Sequence, residues 1–352
     1  MLPDPQPAPI LEGLFDPGLE SIDPQRKVQF ALDLERATVG RDPRVKRVSD
    51  AVYSDGTLHV ELANSRGLRA SFDRSVSYGT VEAIAEQDGE MQSGFAFTYG
   101  RGLASLELDA AASEAAQNAA GLLGARPHPT ARVPVVLHPH AAAMILGALG
   151  NSFSADAVLK RRSLLKDRVG QPVASSLVNI IDDARLGDGL ASRPFDGEGT
   201  PSRRTPLVSG GILQRFLHNT YTGKRTGEQS TANAVRSYKS VPEVGVSNLF
   251  LEPGSINHDG LLAMVSDGLH VSQLHGLHTV NPVSGDFSLG LQGHWIRRGQ
   301  LAEPVREMTI AGNLIGLISR VAAIATDLRF IFAGGFCGSP TILVEELPVA
   351  GA

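Results

Sequence analysis

Short runs in which apolar and polar residues alternate fill the first third of the chain. Residues 45–53, 57–63, 68–72, 79–87 and 90–99 carry a period of two or are β-branched, and Ser54-Asp55-Gly56, Ser65-Arg66-Gly67 and Asp88-Gly89 punctuate them. Successive strand side chains point to opposite faces, so this period predicts strands, and the closely spaced turns predict an antiparallel meander rather than helical crossovers. Two helices bracket the meander. Asp23-Pro24 is a start signal, a capping carboxylate before a proline at the first helical position, and Val28, Ala31 and Leu32 share one face up to about Ala37. The Ala-rich residues 107–123 predict the second helix, ended by Gly124.

The remainder mixes both periods. Strands are predicted over 133–137, 176–181, 246–251, 270–277, 287–296, 330–332 and 341–344, and short helices over 141–149 and 261–265. A further helix is predicted from Ser154 through Leu165. Ile310, Leu314, Leu317, Ile318, Val321 and Ile324 fall at helical spacing and predict a long core helix over 310–328. Between these lies the stretch with the most individual character, residues 193–237. It opens on the turn Asp196-Gly197-Glu198-Gly199, continues as a hairpin around Ser209-Gly210-Gly211, and ends in a polar segment, 222–236, with little to bury. A long polar loop in a compact domain marks a binding surface. The expected fold class is α+β, mostly antiparallel sheets with packed helices. The expected domains are 23–130 and 131–352, after a Pro-rich extended arm over 1–22.

Bulk composition narrows the function classes. With 352 residues, 42% hydrophobic and 20% charged, the chain can bury about two cores at roughly 150 residues per domain. A net charge of −5 and a pI near 6.1 give no chain-wide attraction for nucleic acid or anionic lipid, so neither is an expected partner. The single Cys337 cannot form an internal disulfide, and the first residues lack the basic, then apolar, pattern of a secretory signal. Residues 141–149 and 314–325, the most apolar stretches, are too short or interrupted to cross a bilayer. A cytoplasmic location is expected. The basic residues Lys160, Arg161, Arg162, Lys166 and Arg168 read as a solvated face.

Candidate chemistry is sparse. A helix presenting two His one turn apart, with an acidic residue beside the first, would aim two imidazoles and a general base at one metal; no such motif occurs. His138 and His140 straddle a proline, and His270, His275 and His278 share no single face of a strand. Cys337 lies among glycines and could act as ligand or nucleophile, or be an inert buried thiol. The stretch Gly285 to Gly290 has one residue too many for a nucleophile elbow. Gly187-Asp188-Gly189 and Gly197-Glu198-Gly199 lack the third glycine of a phosphate loop. Asp182, Asp183, Asp196 and Glu198 could pair as acid and base or hold a hard cation, although turn formation alone accounts for them.

Several ordered segments together resemble the TldD/PmbA family, and within it the PmbA (TldE) branch. They are Leu123-Gly124-Ala125-Arg126-Pro127, Pro134-Val135-Val136-Leu137, Phe195-Asp196-Gly197-Glu198-Gly199 with Arg204-Thr205-Pro206-Leu207, Gly211-Ile212-Leu213 to Phe216-Leu217, Ser247-Asn248-Leu249-Phe250-Leu251-Glu252-Pro253-Gly254, Asn281-Pro282-Val283-Ser284-Gly285-Asp286-Phe287-Ser288 and Thr309-Ile310-Ala311-Gly312-Asn313-Leu314. The resemblance implies a TldD/PmbA-like two-domain fold and a subunit of a metalloprotease complex active in proteolysis, peptide trimming or maturation. In that family TldD-type chains carry the metal, zinc or another divalent ion, on a His-Glu-x-x-x-His helix, and PmbA-type chains pair with them. Laid on this chain, that helix falls at residues 138–149, where Ala141, Ala142 and Ala143 follow His140 and the acidic base and second His are missing.

The expectation is therefore a subunit without catalytic residues or a cofactor of its own. It would pair with a TldD-like metal-bearing chain as a heterodimer or higher assembly, or otherwise form a homodimer, and act on an unstructured peptide. The chain also begins late relative to the family, with a shortened N-terminus. Candidate cleft residues are Asp196, Glu198, Gly199, Asn233, Arg236, Asn281, Asp286 and Ser288; His138, His140 and Cys337 are the fallback metal ligands. Two alternatives stand beside this one: a self-sufficient metal-dependent peptidase with non-standard ligands, and a non-enzymatic homo-oligomeric peptide-binding or maturation factor.

Overall fold

The computed structural model describes residues 2–351. The chain divides into two compact units, one of Leu11–Glu61 and Ser71–Ala125, the other of Met1–Ile10, Leu62–Ala70 and Arg126–Ala352.

In the smaller unit, α1 (Pro24–Val39) precedes a three-stranded meander of β1 (Val45–Ala63), β2 (Arg69–Gln87) and β3 (Glu90–Gly100), followed by α2 (Leu108–Ala120). Asp23 caps α1 as its sequence predicts, its carboxylate accepting from the Gln25 N–H at 2.9 Å. Ala111, Ala112, Ala115, Ala116 and Ala119 of α2 are buried with Val81, Ala83 and Ala85 of β2 and Ala96 of β3. Small side chains let the helix lie close to the sheet. The strands are longer than the turn signals imply. Ser54-Asp55-Gly56 does not reverse the chain, and one strand runs through it, with the Asp55 carboxylate 2.5 Å from the Lys27 ammonium of α1.

The larger unit contains, in order, β4 (Ala131–Leu137), α3 (Pro139–Gly150), α4 (Ala155–Leu159), β5 (Ile180–Asp183), β6 (Arg204–Ser209), β7 (Ile212–Leu213), α5 (Thr220–Thr226), β8 (Ala234–Val235), β9 (Glu243–Val244) and β10 (Asn248–Leu251). There follow α6 (His258–Ala263), β11 (Asp267–His275), β12 (Asp286–Arg297), β13 (Gln300–Asn313), α7 (Leu314–Ser319), β14 (Val321–Ile324), β15 (Arg329–Phe332), β16 (Phe336–Ser339) and β17 (Ile342–Ala350). One sheet has the order β13-β12-β11-β4-β17-β14, and β13 also pairs with β17 through Thr309–Ala350 and Ile310–Val349, so five strands close on themselves. The second has the order β15-β16-β10-β5-β6-β7. Only β4–β11 and β10–β16 are parallel pairs within these two sheets; the α+β class with mainly antiparallel sheets stands.

Helix α3 is buried along most of its length, with Ala141, Ala142, Ile145, Leu146 and Leu149 in a core shared with residues of both sheets. A helix apolar on all sides belongs in a core. Its approach is close enough that a Cβ on Gly147 would overlap the Ala333 carbonyl oxygen.

Two predicted helices are not found as predicted. The predicted helix over 310–328 is instead the end of β13, the short α7 and β14. The Asn313 side chain accepts from the Ile315 N–H at 3.1 Å and starts the helix there, while Ile310 pairs with Leu289 and Val349, and Val321 with Val344. An apolar run of this length satisfies either period, and strand partners decide. The helix predicted from Ser154 through Leu165 ends at Leu159, with Arg161 at φ +57° in the left-handed region.

Candidate functional site

The polar stretch expected as an exposed loop is built around two buried carboxylates. Asp182, in β5, accepts from the Asn233 side-chain amide at 2.7 Å, the Ser247 N–H at 2.6 Å and the Ser247 hydroxyl at 2.8 Å. Asp196 accepts the Glu198 and Thr200 N–H groups and the Ala234 N–H, each at 2.9 Å. Burial pushes both carboxyls up, against the pull of these donors and of the buried Arg193 guanidinium. Asn233 is itself fixed, donating to the Gly245 carbonyl at 3.1 Å and accepting from the Thr231 hydroxyl at 2.7 Å. The segment 222–236 therefore is not a loop with little to bury. It opens in α5, capped by Asn219, and Thr231, Ala232, Asn233 and Ala234 are buried before β8 pairs with β9. Polarity suggested exposure, but these polar groups are spent on internal hydrogen bonds.

This framework carries a cleft of about 600 Å³. Glu198, Arg236, Asn219, Tyr221, Asp156 and Lys160 line it, beside the β9 residues Glu243 and Val244. The Glu198 carboxylate is held by the Thr220 N–H at 2.7 Å, and Lys160 pairs with Asp156 at 2.7 Å. Gly199 sits at φ +91°, where a Cβ would overlap the Leu68 side chain from the β1–β2 tip. The outer edge of β8 is closed by the turn, the Ala234 N–H donating to Asp196 and its carbonyl accepting the Gly197 N–H at 2.8 Å, while among the described residues β9 pairs with β8 alone.

The eight expected cleft residues thus separate into three groups. Glu198 and Arg236 line the cleft; Asp196, Gly199 and Asn233 are its buried struts. Asn281, Asp286 and Ser288 do not line it. They form a turn of their own, in which Asn281 caps the Val283 and Ser284 N–H groups, Asp286 accepts from Asn313 at 2.9 Å and from the Ser284 hydroxyl at 2.7 Å, and the Ser288 carbonyl accepts from Thr279. Asp156, Lys160 and Tyr221 carry no sequence signal that would place them at the cleft; the fold brings them there.

The fallback metal ligands fall into two places. His138 is the N-cap of α3, its Nδ1 accepting from the His140 N–H at 3.3 Å. Burial lowers its pKa to about 3, aided by Arg329, His140 and His258 and opposed by Asp327. Its ring meets that of His270 edge-on at 6.0 Å, and His270 meets His258 at 5.7 Å, an association that sequence spacing did not reveal. His258 contacts the Thr341 hydroxyl, which donates to Asp327 at 2.7 Å. Cys337 lies in β16 as a buried thiol 3.3 Å from the Ala333 carbonyl oxygen, and burial pushes its pKa up to about 12. Such a thiol stays protonated and is a poor ligand or nucleophile. Among the described residues, no group of three or more His, Cys, Asp or Glu is arranged to hold a metal ion, and no helix is long and apolar enough to cross a membrane.

Comparison with known proteins places this architecture. Residues 130–351 match the model of the PmbA/TldA metallopeptidase C-terminal domain, and residues 17–123 that of the PmbA/TldA metallopeptidase central domain. The chain belongs to the TldD/PmbA metallopeptidase family. Metalloprotease PmbA of Escherichia coli O157:H7 is 27% identical over 345 residues, 98% of this chain and 73% of that protein. A metalloprotease TldD homolog of Haemophilus influenzae is 26% identical over 356 residues, 95% of this chain and 73% of that protein. A solved Thermotoga maritima protein, named as a candidate modulator of a DNA gyrase, superposes with a TM-score of 0.92 at 27% identity, covering 99% of this chain and 79% of that one. Both branches of the TldD/PmbA family are thus similar at nearly the same level. In this chain the helix onto which the family's metal motif falls is α3, and the positions after His140 are buried alanines.

Proposed function

We propose that this chain is the PmbA (TldE)-like member of a two-chain TldD/PmbA protease, pairing with a TldD-like chain that carries a divalent metal and contributing binding surface for an unstructured peptide. The observation that carries this reading is α3. Ala141, where a metal-binding helix needs an acidic base, and the Ala142 and Ala143 that follow it are buried at 0%, 3% and 0% exposure, so this turn has neither the chemistry nor the room for a base and a metal-bound water. Strand β9, whose Glu243 and Val244 line the cleft and which among the described residues pairs with β8 alone, supports peptide recognition by strand addition. Any hydrolysis then uses the partner's metal-activated water, while this chain binds and orients.

The test is reconstitution. The chain alone, a TldD-like chain alone and their mixture are assayed for bound metal by mass spectrometry and for cleavage of unstructured peptides. Cleavage by the mixture that survives His140→Ala and Cys337→Ala here is expected. Stoichiometric metal with chelator-sensitive cleavage by this chain alone would overturn the reading in favour of a self-sufficient peptidase. The absence of a mixed complex would favour a homo-oligomeric binding factor.

A further inference from the structure

A second cleft, of about 550 Å³, lies in the larger unit. It is walled by α4, by the segment that follows β7, and by the return from α5, with Arg203 entering from the start of β6. Its chemistry is unlike that of the first cleft. Arg203 and Arg215 line it, and among the described residues neither guanidinium has an ion-pair or hydrogen-bond partner. The neighbouring Arg204 shows the contrast, its guanidinium bound to Glu252 at 2.6 Å and lying 4.0 Å from Asp183.

The third polar group is His218, 6% exposed, whose Nδ1 is buried without a hydrogen-bond partner. The main chain of this residue is fixed: its N–H donates to the Thr231 hydroxyl at 2.7 Å and its carbonyl accepts the Thr231 N–H at 3.1 Å. The residue is therefore held in place, its ring also hydrogen-bonded to the Thr222 backbone, while Nδ1 stays unspent. Burial lowers the His218 pKa, with Glu228 and the hydrogen bond to the Thr222 backbone opposing, so the ring is neutral near pH 7. Glu228 is the single carboxylate in the lining, and Phe216 and Val158 supply apolar wall.

Two cations against one carboxylate suit a monoanion better than a doubly charged phosphate, and the apolar wall suits a hydrocarbon group attached to it. We propose that this cleft binds the free C-terminal carboxylate of a peptide whose last side chain is apolar, with Arg203 and Arg215 on the carboxylate and Phe216 and Val158 against the side chain. That the occupant is a peptide rests on the function proposed above; the preference for an apolar carboxylate does not.

The experiment uses the full chain without any partner protein. A labelled unstructured pentapeptide ending in leucine is titrated by fluorescence polarisation as the free acid and as the C-terminal amide, with N-acetyl-leucine and inorganic phosphate as competitors. The free acid should bind at least about tenfold more tightly than the amide, the size expected for charge-assisted hydrogen bonds to one carboxylate. Arg203→Gln and Arg215→Gln, both at exposed positions, should each remove most of that difference, and Glu228→Gln should tighten the acid a few-fold. N-acetyl-leucine should compete and phosphate should not. Equal binding of acid and amide, no binding of either, an acid preference untouched by the arginine changes, or competition by phosphate as effective as by N-acetyl-leucine would each overturn the proposal. Reconstituted cleavage and complex formation are read in a different assay, so failure of the partner-subunit reading leaves this result separately visible.

Discussion

Asn233 ties the region around the first cleft to the sheet, and its contribution can be measured through its bond to Asp182. Asn233→Ala removes the amide that donates to the buried Asp182 carboxylate at 2.7 Å and to the Gly245 carbonyl at 3.1 Å. Stranding a buried acceptor costs about 1–3 kcal/mol, so a loss in that range is expected. Asp182→Asn should cost a similar amount, because its new amide would face the Asn233 donor across the same short contact. In the double variant that donor clash is gone. The double variant should therefore lose at least about 1 kcal/mol less than the sum of the single changes. Urea unfolding followed by the emission maximum of Trp295, the sole tryptophan and buried in the same unit, reads this directly. Additivity within about 0.5 kcal/mol would refute the network as the strut of this region.

Two further outcomes follow from the same unit. His138, lowered to about 3, and His270, lowered well below 6.5, are buried and neutral in the fold, surrounded by His140, His258, His294, Arg329 and Asp327. Because their folded pKa values lie below the unfolded 6.5, the stability they contribute is present above pH 6.5 and is lost as pH falls below it, since only the unfolded chain takes up those protons. Each residue should add about 1.4 kcal/mol per pH unit to the slope. The raised carboxyls Asp182 and Asp196 act in the opposite sense, so the quantity to measure is the slope of wild type minus that of His270→Phe between pH 6.5 and 5; equal slopes would sink the assignment. Gly147→Ala should destabilise by about 1–3 kcal/mol through overlap with the Ala333 carbonyl, outweighing the roughly 1 kcal/mol gain in helix propensity, and a raised urea midpoint would refute it.

Much of the secondary structure is legible in the sequence. Asp23-Pro24, the alanine stripe of α2 and the alternation of β2, β3 and β12 depend on neighbours within a few residues, and local rules are sufficient there. The region over 310–328 was not legible, because Ile310 and Val321 pair with strands distant in the chain and the apolar spacing alone is compatible with a helix. The site divides along the same line. Asp196 and Glu198 stood out as a turn, and the turn is real; that Asp196 is buried beneath β8 while Glu198 faces a cleft is decided by Ala234 and Thr220, far along the chain.

By itself the sequence determined the α+β class, the membership implied by its ordered motifs, and the alanines that replace a metal-binding helix's acidic residue. Tertiary structure alone decided that a polar segment is an internal strut, that His138, His258 and His270 meet, and that Arg203 and Arg215 share a cleft with His218. The reason is physical. Local periodicity records which face of an element is apolar, but a polar side chain's role depends on whether a partner from a distant strand meets it, and one sequence does not encode that meeting in any short window.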